Sequence, residues 1–125
     1  MNQIINGVSY DTTTATLIGE YDNGYPIDDI RWCITQIFKL KGNKYFLYGQ
    51  GGPGSTYARI DDCCTYEDGE KIIPVSLCDI IVWGEDHLPD NELASIIREH
   101  MHEATLLGLE VPAYLQAVLR RLSGR

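Results

Sequence analysis

Cys33, Cys63, Cys64 and Cys78, with His87, His100 and His102, are the side chains best suited to bind a soft metal or act as nucleophile and base. A structural zinc site on Cys63, Cys64, Cys78 and His87 would need the fold to bring them together. Their spacing does not do so, because there is no C-x-x-C knuckle and adjacent cysteines in extended chain point to opposite faces. His100 and His102, two apart on a helix, diverge by about 200° and cannot share a metal. His100 is expected at the edge of the core and His102 in solvent. A nucleophilic triad fares no better, since all three histidines lie late in the chain with no nucleophile elbow before them. No cofactor, metal or catalytic role is therefore expected.

Gly49-Gln50-Gly51-Gly52-Pro53-Gly54 has the G-x-G-x-x-G spacing and follows an apolar run that reads as a strand. A dinucleotide site also needs a helix to open at the third glycine. Residues 55–62 carry no helical stripe, and Pro53 removes an N–H that would hold phosphate. A glycine-rich strand exit, a bulge or a turn, is the expectation. The carboxylate pairs Asp28-Asp29 and Asp61-Asp62 suggest acid–base work or a divalent cation, but both sit in acidic loops without EF-hand spacing. They read as solvated charge or as recognition of a protein partner. Tyr21, Tyr25 and Tyr66 lie in the same acidic segments, and tyrosine is enriched in binding hot spots. The candidate partner-binding set is therefore Tyr21, Asp22, Tyr25, Asp28, Asp29, Asp61, Asp62, Tyr66, Glu67, Asp68 and Glu70.

These residues belong to a 125-residue chain, the usual size of one domain, with a net charge of −8. Residues 1–90 hold fourteen acidic and six basic side chains, and residues 91–125 four of each, so the negative field belongs to the N-terminal part. Such a field disfavours nucleic acid and anionic membranes and favours a basic protein. The start of the chain has no basic or apolar leader, and the cysteines have no disulfide-scaffold spacing, so a cytoplasmic protein with free thiols is expected.

Asn6-Gly7 flanked by apolar residues predicts a small hairpin over 3–10. Asp11 and Gly19 then bracket an expected short helix over 12–18, and 20–29 reads as a loop. Residues 32–40 and 45–48, joined by Lys41-Gly42-Asn43, form the clearest hairpin. Gly49–Gly54 is expected to break the second strand, and 57–60 and 71–75 to add short strands around an acidic loop over 61–70. Ser76 and Asp79 resemble a capping box opening a helix that stops near Gly84. Asp90 is expected to cap a longer helix carrying Leu93, Ile96, Ile97, Met101, Ala104 and Leu107 in one stripe, ending at Gly108. Pro112 should open a last helix with Leu115, Val118, Leu119 and Leu122 as the matching stripe. The fold class is α+β: a small antiparallel sheet with packed helices and a C-terminal helical hairpin, one domain over 1–125, with an α+β core over 1–88 and a helix pair over 89–125.

Asn6-Gly7, Tyr10-Asp11-Thr12, Thr14-Ala15, Ile18-Gly19, Tyr45-Phe46-Leu47-Tyr48-Gly49, Gly51-Gly52, Ser55, Tyr57-Ala58, Lys71-Ile72-Ile73-Pro74, Ser76 and Trp83 resemble a family of small proteins from phages and other mobile elements, over residues 4–88. The shared positions describe a fold and transfer no catalytic residue. Some small acidic proteins from such loci are anti-CRISPR proteins. That resemblance implies a non-enzymatic inhibitor, a DNA mimic whose acidic loops enter the basic channel of a CRISPR effector and block DNA or guide binding. The alternative is a regulatory adaptor of a mobile element that dimerises through residues 90–122.

Overall fold

Asn6 and Gly7 both take left-handed angles, φ 51° and 79°, and Ile5 pairs with Val8 across them. This matches the twist of a two-residue hairpin and gives strands β1 (Asn2–Ile5) and β2 (Val8–Asp11). Gly42 and Asn43, at φ 81° and 57°, close the turn between β4 (Cys33–Leu40) and β5 (Lys44–Gly51). In the computed structural model, which describes residues 1–124, β3 (Thr16–Asp22), β4, β5 and β8 (Gly69–Val75) form an antiparallel sheet in the order β3-β4-β5-β8. A separate ribbon joins β6 (Arg59–Ile60) to β7 (Tyr66–Glu67). Helices α1 (Leu77–His87), α2 (Asp90–Leu106) and α3 (Tyr114–Ser123) complete the α+β architecture.

Strand alternation sends the sheet's side chains into two cores. On one face Ile37 and Tyr45 pack with Ile80, Leu93, Ile97 and Leu115 of the three helices. On the other, Phe38 and Phe46 stack at 5.2 Å and lie under Tyr10, Ile5 and Val8 of the N-terminal hairpin. Two bonds at the same sequence offset, Cys78 Sγ with the Tyr114 hydroxyl and Arg121 with Glu85, show that α1 and α3 run in the same direction.

The expected helix over 12–18 is absent. Asp11 Oδ1 accepts the Thr13 N–H at 2.9 Å and the Thr13 hydroxyl at 2.7 Å, which satisfies the local donors in a turn. The β-branched residues beyond it then enter β3. Gly19 is not a helix terminator but pairs with Ile37 beside a bulge at Ile18. There a Cβ would sit 3.4 Å from Ile37 and 3.7 Å from Ile96.

The capping box at Ser76 and Asp79 is present in both directions, at 3.2 and 3.0 Å. Ser76→Ala should destabilise the fold by about 1 kcal/mol, read by urea titration. Contrary to expectation α1 does not stop at Gly84. It runs to His87, and Gly84 lets Leu93 approach, since a Cβ there would meet Leu93 Cδ1 at 2.9 Å. Pro89 rather than Asp90 holds the N-cap position of α2, without a side-chain cap. At the other end Gly108 takes φ 73°, with Leu109 N–H donating to Ala104 and Gly108 N–H to Thr105, which closes the helix end. The last helix opens at Tyr114, two residues beyond Pro112.

Candidate functional site

Strand β5 does not break at Gly49 as expected but continues to Gly51, paired with β4 and β8 throughout. The glycines serve close packing. A Cβ on Gly49 would overlap the ring of Tyr57, whose hydroxyl meets Thr35 Oγ1 at 2.5 Å in the interior. Gly52 and Gly54 donate N–H bonds to the carbonyls of Trp32 and Ile30, at 2.9 and 2.7 Å, and a Cβ on Gly52 would lie 2.7 Å from the Ile30 carbonyl oxygen. The glycine run is thus a strip onto which the segment 23–32 docks. Gly69 admits the Tyr57 carbonyl in the same way and ties residues 57–59 to β8.

This docking brings the two acidic segments to one end of the sheet. Ile27 and Trp32 of the first, and Arg59, Asp68 and Glu70 of the second, line one cleft with Gln50. Exposed apolar side chains flank it. Ile27 is 78% exposed, Ile30 62%, and the cross-strand pair Ile60 and Tyr66 56% and 60%. Asp22, Asp28, Asp62 and Asp68 form no ion pair among the described residues.

The other carboxylates are committed locally. Asp29 accepts two bonds from the Arg31 side chain, at 3.0 and 2.9 Å, and these, with the Arg31 N–H, hold its carboxyl down at about 2. Arg31 in turn lies 4.2 Å above the Tyr25 ring. Asp61 Oδ1 accepts the N–H groups of Cys63 and Thr65, both at 2.9 Å, and pins the tip of the β6–β7 ribbon. Glu67 pairs with Arg59 at 3.1 Å. Glu70 accepts the Tyr48 hydroxyl at 2.5 Å; burial first, then this bond, pushes Tyr48 up to about 12.

Two placements differ from the sequence reading. Residues 20–22 and the pairs Tyr66–Glu67 and Gly69–Glu70 lie in strands, not loops. Tyr21 does not belong to the exposed end. As part of β3 it faces the helices, half-buried, with its ring 4.7 Å from His87 and 5.9 Å from Trp83. The cause is alternation along β3, which puts Gly19 and Tyr21 on the helix side.

Cys63 and Cys64 are both exposed, with Cys64 at φ 62°; Cys78 bonds Tyr114, and His87 Nδ1 donates to the Trp83 carbonyl at 2.7 Å. Among the described residues no three His, Cys, Asp or Glu side chains cluster as metal ligands. The apolar stripes of α2 and α3 face inward: Leu93, Ile97, Leu115 and Leu122 are buried, while Leu107 is exposed.

A second constellation is marked in the sequence only by His100, which lies at the edge of the core as expected. Lys39 pairs with Glu103 across β4 and α2, and the Tyr45 hydroxyl and His100 Nδ1 share a hydrogen bond at 2.7 Å. The chemistry rests on neutral partners, because burial pushes the Tyr45 hydroxyl up and the His100 imidazole down. A histidine whose pKa is lowered by folding contributes stability above its unfolded value of 6.5 and loses it as pH falls through that value. The melting temperature should therefore drop between pH 7.5 and 5.5, and His100→Gln should flatten that part of the profile.

No helix among the described residues is long and apolar enough to cross a membrane. No protein-family model, curated protein or solved structure matches this chain.

Proposed function

We propose that the protein acts by binding a basic macromolecule through the acidic end of its sheet, as a non-enzymatic inhibitor of a bacterial defence complex. One observation carries the reading: Ile27, Ile30, Ile60 and Tyr66 stand exposed among unpaired carboxylates on two segments, one docked on Gly52 and Gly54 and the other on Gly69, that line one cleft. Apolar anchors inside a charged rim are the anatomy of a protein interface, and the acidic rim selects a partner rich in Lys and Arg. Channels that hold nucleic acid in CRISPR effectors have that chemistry.

The proposal is tested by capture from bacterial lysates containing assembled effector complexes, at about 50 and 500 mM salt. Recovery of an effector at low salt and its release at high salt supports the inhibitor. Recovery of the protein's own copies or of an unrelated regulator, insensitive to salt, replaces it with the adaptor of a mobile element.

A further inference from the structure

A groove follows the junction of β3, β4 and α2, at the far end of the sheet from the acidic segments. It consists of two adjoining clefts that share Ile18, Lys39 and Glu99. The wider cleft is walled by Val8, Ala15 and Leu40 and rimmed by Lys41 and Lys44. The narrower one reaches Tyr45, Ser95 and Ile96.

Its charge is graded. Lys39 and Glu103 neutralise each other, and Tyr45 with His100 forms a neutral hydrogen-bonded pair behind them. Glu92 lines the narrow cleft, whereas Glu99 lines both, so the wide cleft sets Lys41 and Lys44 against one carboxylate outside the Lys39–Glu103 pair. Lys41 and Lys44 form no ion pair among the described residues. The chain has four lysines and a net charge of −8, yet three of the four line this one groove. The eight residues of β4 separate Lys41 from the segment 23–32 by about 25 Å at 3.3 Å per residue. That exceeds two Debye lengths at physiological salt, so the acidic end does not neutralise these lysines.

We propose that this groove binds a small amphiphilic organic anion, its head against Lys41 and Lys44 and its apolar body along Val8, Ala15, Ile18 and Leu40. An apolar floor with a few charged groups at one end is the usual build of a small-molecule site. Direct contact with two ammonium groups selects a carboxylate, sulfonate or phosphate head. The site is independent of the acidic end and of the partner bound there.

Two fluorescent probes with the same ring system test the inference: 1-anilinonaphthalene-8-sulfonate and the uncharged N-phenyl-1-naphthylamine. The sulfonate should bind the folded chain more tightly than the uncharged probe. Lys41→Gln with Lys44→Gln should weaken the sulfonate roughly tenfold and leave the uncharged probe unchanged. Ala15→Phe, which fills the floor, should block both, with near-UV circular dichroism confirming that each variant keeps its fold. Should the variants misfold, amide shift perturbations in the unaltered chain decide, and they should map to the groove. Absence of binding by either probe, equal binding of the two, or shifts mapping elsewhere overturns the proposal.

Discussion

Phe46→Ala is expected to destabilise the fold by about 3–5 kcal/mol, the cost of removing a fully buried aromatic ring whose neighbours cannot collapse into the space. Phe46 is 0% exposed, stacks on Phe38 and meets Tyr10 edge-on at 5.4 Å. It is the residue by which the N-terminal hairpin is held to the sheet. Against a total stability of roughly 5–15 kcal/mol this loss is a fifth to the whole, so a domain at the low end of that range would keep about 2 kcal/mol or less. Urea titration measures it, with Ile73→Ala as control. Ile73 is large but 41% exposed on the edge strand β8, and its truncation should cost about 0.5 kcal/mol or less. Equal effects at the two positions would mean that the second core does not contribute as the packing indicates.

The other large effect is on binding. Ile27→Ala with Tyr66→Ala should weaken the partner at least a hundredfold while moving the melting temperature little, because both side chains are mostly in solvent. Asp28→Asn, Asp62→Asn and Asp68→Asn together should slow association on the order of tenfold at low salt and abolish most of the salt dependence. These three carboxylates are preferred to Asp29 and Asp61, which hold Arg31 and the tip of the β6–β7 ribbon and whose replacement would confuse binding with local order. Surface plasmon resonance across a salt series separates the two classes, since apolar anchors act on dissociation and rim charges on association.

Features with short-range chemistry were legible in the sequence. Asn6-Gly7 and Gly42-Asn43 announce their hairpins through the left-handed angles they accept, and Ser76 with Asp79 announces α1 through reciprocal caps. The inward stripes of α2 and α3 follow from 3.6-residue periodicity. What was not legible depends on distant contacts. Asp11 makes the same side-chain bond to a nearby N–H whether a helix or a turn follows, and pairing of Thr16 to Lys39 decides for the strand. Gly84 resembles a terminator until Leu93 is seen against it. The glycine run has nucleotide-loop spacing because Tyr57, Trp32 and Ile30 need room at positions 49, 51, 52 and 54.

The candidate site divides along the same line. Composition located the carboxylates and Tyr25 and Tyr66, but register placed Tyr21 on the opposite face. Ile27 falls in the expected loop over 20–29, but Ile30 and Ile60 carry no sequence mark of exposure, since an isoleucine beside an expected strand reads as core. The groove was equally silent. Lys39, Lys41 and Lys44 are an unremarkable run across a hairpin turn until α2 supplies the wall opposite.

The most direct test of the acidic-end reading is competition on a purified CRISPR effector captured from the lysate: binding of labelled target DNA measured as the protein is added, at low and at physiological salt. The account predicts stoichiometric displacement of the DNA, weaker at the higher salt, and needing on the order of tenfold more protein at low salt with Asp28→Asn, Asp62→Asn and Asp68→Asn. DNA binding undisturbed by saturating protein, or disturbed equally by the variant, would contradict it.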